Sequence, residues 1–178
     1  MILGLDISTS ITGYTILDEE SNIIKCEAWD LRNKRLFSDI YSKSSLIKRE
    51  LDKIKNKYDI TYIFIEEPFV FFRSGGSTAK TMAKLQAFNG IVSWLCVDTF
   101  SQTPIHITPA RARKLNGIKV SRGEKAKEVV LNYLLESEKT FSIEYTYRGN
   151  PKPSSYDRAD SLIIAKAGLK LLGKVKDE

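Results

Sequence analysis

The 178 residues carry 42% hydrophobic and 28% charged side chains, a balance that suits a folded domain and excludes a disordered chain. No run of about 18 apolar residues is present, which excludes a membrane-spanning helix. The net charge of +6 is unevenly spread. From Arg73 to Lys127 the basic residues are Arg73, Lys80, Lys84, Arg111, Arg113, Lys114, Lys119, Arg122, Lys125 and Lys127, opposed only by Asp98 and Glu124. A basic middle segment suits a polyanion partner, although solvated helix faces would look the same by charge alone. Cys26 and Cys96 lack metal-type spacing and read as free thiols in a reducing, cytoplasmic compartment.

In chain order, Ile2–Ile7 is a short apolar run that opens a strand and does not resemble a signal peptide. Ser8-Thr9-Ser10 turns, Thr12–Leu17 resumes, and Ile23–Cys26 completes an antiparallel meander. Ile40, Ile47, Leu51, Ile54 and Tyr58 fall at helical spacing. Thr61–Ile65 is a fourth strand, apolar enough to be buried on both faces. After Gly75-Gly76 a helix is predicted over Ser77–Phe100, with Ala79, Ala83 and Ala87 one turn apart. A fifth strand spans Pro104–Ile107, and a brief helix Pro109–Leu115 has Thr108 as its N-cap. Ser121-Arg122-Gly123-Glu124 has capping-box spacing and is expected to open a helix to Leu135. Phe141, Ile143, Tyr145 and Tyr147 alternate like a strand or ribbon. Ser154 or Ser155 then caps a last helix to Leu172, leaving Gly173–Glu178 as a frayed tail after a single domain over 1–173. The order is that of an α/β fold, compatible with a ribonuclease-H-like mixed five-stranded sheet flanked by helices.

Four carboxylates stand where side chains can converge. Asp6 ends the first strand, Glu66 ends the fourth, and Asp157 and Asp160 share a face at the start of the last helix. Gathered anions repel unless a counter-charge joins them, and an all-oxygen set suits Mg²⁺ or Mn²⁺. Two such ions about 4 Å apart would serve phosphodiester cleavage. Singly, each acid has a plainer use: turn former, or favourable charge at a helix N-terminus. Glu66 resists that explanation, because a carboxylate in an apolar run is costly without a partner.

Gly4–Tyr14 resembles the opening strand and turn of the RuvC Holliday junction resolvases, Ile65–Phe69 their second motif, and Asp157–Ala165 their final acidic helix. Lys84–Gly90, Pro109-Ala110-Arg111 and Gly123-Glu124-Lys125 fall between them in matching order. The resemblance implies a homodimeric, Mg²⁺-dependent endonuclease that resolves branched DNA, with Asp6, Glu66, Asp157 and Asp160 as its metal-binding, catalytic tetrad. It also implies that Phe69 stacks near the strand exchange and that Lys125 lies near the scissile phosphate. Arg73, Lys80, Lys84, Arg111, Arg113, Lys119, Arg122 and Lys125 are the expected DNA contacts. Core packing for Phe69 and plain solvation for Lys125 stay open. The 136–153 stretch is longer than in bacterial members and points to the divergent phage resolvases. Tyr145, Tyr147, Arg148 and Lys152 there would either touch DNA or cover the sheet edge. A less selective flap or RNase H-type nuclease, or a catalytically silent DNA-binding regulator, is the alternative. The long helix is expected to pack closely through Ala83, Ala87 and Gly90, and to offer Ile91, Trp94 and Leu95 to a dimer.

Overall fold

A computed structural model describes residues 1–68 and 79–176. Three strands, β1 (Ile2–Asp6), β2 (Ile11–Leu17) and β3 (Ile23–Asp30), form the antiparallel meander. After helix α1 (Ile40–Lys57), strand β4 (Tyr62–Glu66) pairs with β1 in parallel. Helix α2 (Ala79–Phe100) leads to β5 (Ile105–Ile107), parallel to β4. Helices α3 (Pro109–Leu115), α4 (Ala126–Ser137) and α5 (Ser154–Lys176) follow. The five strands lie in the order β3-β2-β1-β4-β5, the mixed sheet expected from the sequence. Among the described residues no helix is long and apolar enough to cross a membrane.

Strand alternation sorts the core into two layers. Leu3, Leu5, Tyr14, Ile16, Ile63 and Ile65 face α1 and α2, which contribute Ile47, Leu51, Phe88 and Val92. Ile2, Leu17 and Phe64 face the other way, with Leu131 and Leu134 of α4 and Leu162 and Ile163 of α5. Helix α1 starts where Asp39 accepts the Ser42 N–H at 2.8 Å and the Ser42 hydroxyl accepts the Asp39 N–H at 3.3 Å, a reciprocal cap. Thr108 caps α3 by accepting the Arg111 N–H, with Pro109 in the first turn.

What seats α5 on the sheet is missing side chain. A methyl on Gly4 would lie 2.7 Å from both the Ser161 carbonyl oxygen and the Ala165 Cβ. One on Gly13 would run into the Asp157 carbonyl group, and one on Gly168 into the Phe64 ring. At these three positions backbone and ring come closer than any Cβ permits. Buried hydroxyls then fix the helix: Ser161 Oγ and Thr15 Oγ1 are 2.8 Å apart, and Arg158 Nε donates to the Cys26 carbonyl at 2.8 Å.

Three expectations are corrected and one is narrowed. Helix α4 begins at Ala126, not at Ser121, because Gly123 sits at φ +94° and interrupts helical geometry. Half the expected box survives as a turn, in which the Ser121 N–H donates to Glu124 Oε2 at 2.6 Å. Of the strand or ribbon expected over 141–147 the chain forms the ribbon, joined by one bridge between Tyr145 and Pro151, since proline brings no N–H to extend a ladder. Helix α5 runs on to Lys176: Gly173 lowers helix propensity without ending it. Finally, Leu95 belongs to the chain's own core and Ile91 packs against it, while Ala83, Ala87 and Gly90 are exposed. The last three lie on α2's outer face, which continues through Trp94, 62% exposed, and Val97.

Candidate nuclease site

Strand register brings the first two acids together. Leu5 pairs with Ile65, so Asp6 and Glu66 stand one step further along neighbouring parallel strands. Each is two residues past a side that faces α5, at Gly4 and Phe64, so both carboxylates project toward that helix. Gly13 pairs with Asp6 in β2 and carries the Asp157 backbone directly above it. Helical spacing then sets Asp160 beside Asp157. Asp6 is 7% exposed and Asp160 8%. The end of β4 is held by Asn89 Nδ2, which donates to the Glu66 carbonyl at 3.4 Å, and by the Glu67 N–H, which donates to Ile107. The β1–β2 turn is fixed by Thr12 Oγ1, which accepts from the Ser8 N–H and donates to the Ser8 carbonyl. The Lys43 ammonium donates to the Thr9 carbonyl of the same turn.

The cluster is electrostatically expensive for carboxylates. Burial, then the charges of Glu66, Asp160 and Asp157, raises the Asp6 carboxyl well above its ordinary range, with only Lys127 opposing. Burial and Asp160 push Glu66 up to about 7 against the pull of Lys127 and Arg113. Asp157 and Asp160 are raised by burial, and Lys127 works against the rise at both. The Lys127 ammonium lies 3.2 Å from Asp160 Oδ2 and 3.7 Å from Asp157 Oδ1. Although partial desolvation works against its charge, Asp160, Asp6 and Asp157 hold it protonated well above its usual range.

The donors are carboxylate oxygens alone, the chemistry of a hard divalent cation. Among the described residues no three such side chains stand disposed to hold a metal ion as they are. Part of the counter-charge comes instead from Lys127.

Lys125, the basic residue singled out from the sequence, is exposed at the N-cap of α4 and pairs with Glu128 at 2.9 Å. Lys127, two positions on, is the lysine that reaches the carboxylates. Nothing in the basic run distinguishes the two; the packing of α4 on α5 does. Arg113 also acts on Glu66 and Asp160 and lines their cleft, of about 390 Å³, with Pro109 and Lys127. A second groove of about 320 Å³ leaves this cleft at Arg113 and passes Lys114 and Lys119. Lys80, Lys84, Arg111 and Arg122 are exposed. Phe69 and Arg73 lie outside the described residues.

No family profile matches the chain. It is 28% identical over 113 residues to the crossover junction endodeoxyribonuclease RuvC of Finegoldia magna, a match spanning 61% of this chain and 66% of that protein, just under two thirds of its length. The fold superposes on Thermus thermophilus RuvC in complex with Holliday junction substrate with a TM-score of 0.66 at 14% identity, covering 97% of this chain and 94% of the other. The fold is RuvC-like. Thermus thermophilus RuvC in another structure gives a TM-score of 0.62 at 16% identity over 98% and 96% of the two chains. The yeast mitochondrial Holliday junction resolvase Ydc2 gives 0.65 at 15% identity, over 99% of this chain and 80% of its own. The RuvC-like likeness thus spans the whole sheet and the helix that carries Asp157 and Asp160.

Proposed function

We propose that this RuvC-like protein is a structure-selective endonuclease that cleaves branched DNA at Asp6, Glu66, Asp157 and Asp160. The observation that carries the reading is the convergence of four carboxylates from two strand ends and one helix, Asp6 and Asp160 buried and Glu66 and Asp157 half-buried. A buried cluster of this kind is unfavourable on its own and becomes useful around a divalent cation. Asp6 and Glu66 would hold it from the sheet, and Asp157 and Asp160 from α5. Mg²⁺ held there, as one or two ions with Mn²⁺ as a substitute, would supply the charge that activates a water and stabilises the leaving oxygen. The protein's own part is to fix the carboxylates on rigid elements and to hold the phosphate with Arg113 and Lys127. Lys114, Lys119 and the exposed bases Lys80, Lys84, Arg111, Arg122 and Lys125 attract the flanking backbone.

Phe69, next in sequence after Pro68, is assigned to stacking at the branch, and Arg73 to DNA contact. The phage-type assignment rests on the 136–153 extension, and action in the cytoplasm on the free thiols and the DNA substrate. A junction presents two symmetric strands, so we assign the outer face of α2, from Ala83 through Gly90 and Trp94 to Val97, to a homodimer.

The experiment is cleavage of labelled four-way junctions, flaps, RNA–DNA hybrids and linear duplex in Mg²⁺ or EDTA. Asp6→Asn, Glu66→Gln, Asp157→Asn and Asp160→Asn should each abolish cleavage while junction binding persists. Wild-type rates from any two would overturn the assignment. Preference for hybrids over junctions would favour the RNase H-type alternative.

A further inference from the structure

The segment between α4 and α5 divides into an anchored base and a free tip. Phe141 is buried, Ile143 packs on the same core, and the Arg158 guanidinium stacks on the Phe141 ring at 5.4 Å. From Glu144 the chain folds back on itself. The Lys152 N–H donates to the Glu144 carbonyl at 2.8 Å, the Thr146 N–H to Asn150 at 2.7 Å, and the Gly149 N–H to Thr146 at 2.9 Å. Gly149, at φ +78°, makes the reversal, and the Lys152 ammonium pairs with the Glu144 carboxylate. The outcome is a small, internally bonded ribbon. On its tip Tyr147 is 90% exposed, with the Arg148 guanidinium 5.2 Å from its ring centroid, and Tyr145 is 56% exposed.

The returning limb reaches the nuclease site. Pro151 and Pro153 line a groove of about 370 Å³ together with Ser8, Ser10, Asp157 and Lys127. This groove shares Lys127 with the carboxylate cleft, as the groove of Lys114 and Lys119 shares Arg113 with it. The three hollows therefore adjoin along Glu66, Asp160 and Asp157, with Arg113, Lys114 and Lys119 toward one end and Pro151 and Pro153 of the ribbon toward the other. Tyr147 is four residues from Pro151, so the tip stays within about 13 Å of the groove that Pro151 lines.

We propose that the Glu144–Lys152 ribbon is a second DNA-contacting wall, whose Tyr147–Arg148 pair stacks on a base left unpaired at the branch point. The proposal rests on the branched-DNA reading above. An aromatic ring standing in solvent adds nothing to its own core, whereas every base offers it a flat π-face. The adjacent guanidinium adds a cation to the stack and a donor to the neighbouring phosphate. The ribbon's backbone bonds hold the ring in place before DNA arrives, so little ordering cost opposes binding.

The test uses the full chain in EDTA with fluorescent four-way junction and linear duplex of the same sequence at one fixed salt concentration. Tyr147→Ala should weaken junction binding about tenfold, the contribution of one base–aromatic stack, and change duplex binding less than about twofold. Tyr147→Trp should restore junction affinity. A 2-aminopurine at the branch point should be perturbed by wild type and by Tyr147→Trp, but not by Tyr147→Ala. Unchanged junction affinity for Tyr147→Ala would overturn the proposal. So would a melting temperature lowered by several degrees, which would assign the ring to the fold. If wild type itself does not separate junction from duplex, the branched-DNA reading fails. If wild type separates them and Tyr147→Ala does so equally well, only the ribbon's role fails.

Discussion

Replacing Gly4 by Ala adds one methyl at the seat of α5, two residues before Asp6. That methyl would stand 2.7 Å from the Ser161 carbonyl oxygen, 2.7 Å from the Ala165 Cβ and 2.8 Å from the Ala165 nitrogen. Two of these three atoms are backbone, so no rotamer relieves the clash. To restore van der Waals separation of about 3.5 Å, the helix must lift by roughly 0.8 Å. Overpacking of this kind costs about 1–3 kcal/mol, from which the lower chain entropy of Ala over Gly recovers roughly 0.5 kcal/mol. For a chain of this size the melting temperature should fall by about 2–8 °C. The lift also carries Asp157 and Asp160 away from Asp6, and a misplacement near 1 Å can cost about 100-fold in rate. Differential scanning calorimetry and single-turnover junction cleavage, both read well below the melting transition, measure the two effects. Wild-type stability would show that α5 is not seated on Gly4. A destabilised variant with a wild-type rate would show that the helix does not set the tetrad.

Three further outcomes are expected. Lys127→Met removes a cation from Asp160 and Asp157. Because that lysine is largely exposed, the pair is worth about 1 kcal/mol at most, and Mn²⁺ affinity read by electron paramagnetic resonance should tighten up to about fivefold; weaker binding would make Lys127 an aid to the metal. The raised carboxyl of Glu66 means the folded protein binds a proton that the unfolded chain has released. In EDTA, stability should therefore decline as pH rises from the ordinary carboxylate range through about 7, and Glu66→Gln should remove part of the decline, the rest belonging to Asp6, Asp157 and Asp160, as thermal melts would show. If the outer face of α2 is the dimer interface proposed above, wild type should sediment as a dimer and Trp94→Glu, at an exposed position, as a folded monomer; a monomeric wild type, or a dimeric variant, would refute that assignment.

The elements and the four acids were legible because local physics dictates them. Short apolar runs bounded by turn residues wrote β1, β2 and β4, a period-3.6 pattern wrote α1, Thr108-Pro109 marked the start of α3, and Asp6 and Glu66 stood out as charges ending apolar runs. Their meeting was implied once strands one and four were placed side by side. What sequence spacing could not supply was any fact that depends on two distant elements touching. Lys125 and Lys127 are alike in the chain, and only the packing of α4 on α5 turns one toward Glu128 and the other toward the carboxylates. Leu95 and Trp94 are both apolar, yet helix rotation against the sheet buries the first and exposes the second. The alternating Phe141, Ile143, Tyr145 and Tyr147 divide into core and solvent where the chain runs out of sheet to cover. Gly4, Gly13 and Gly168 carry no side chain to announce their role, and it appears only when α5 lies across them. The sequence alone determined which residues could do the chemistry. The tertiary structure decided which of them face one another, because contact between remote segments is set by how whole faces pack.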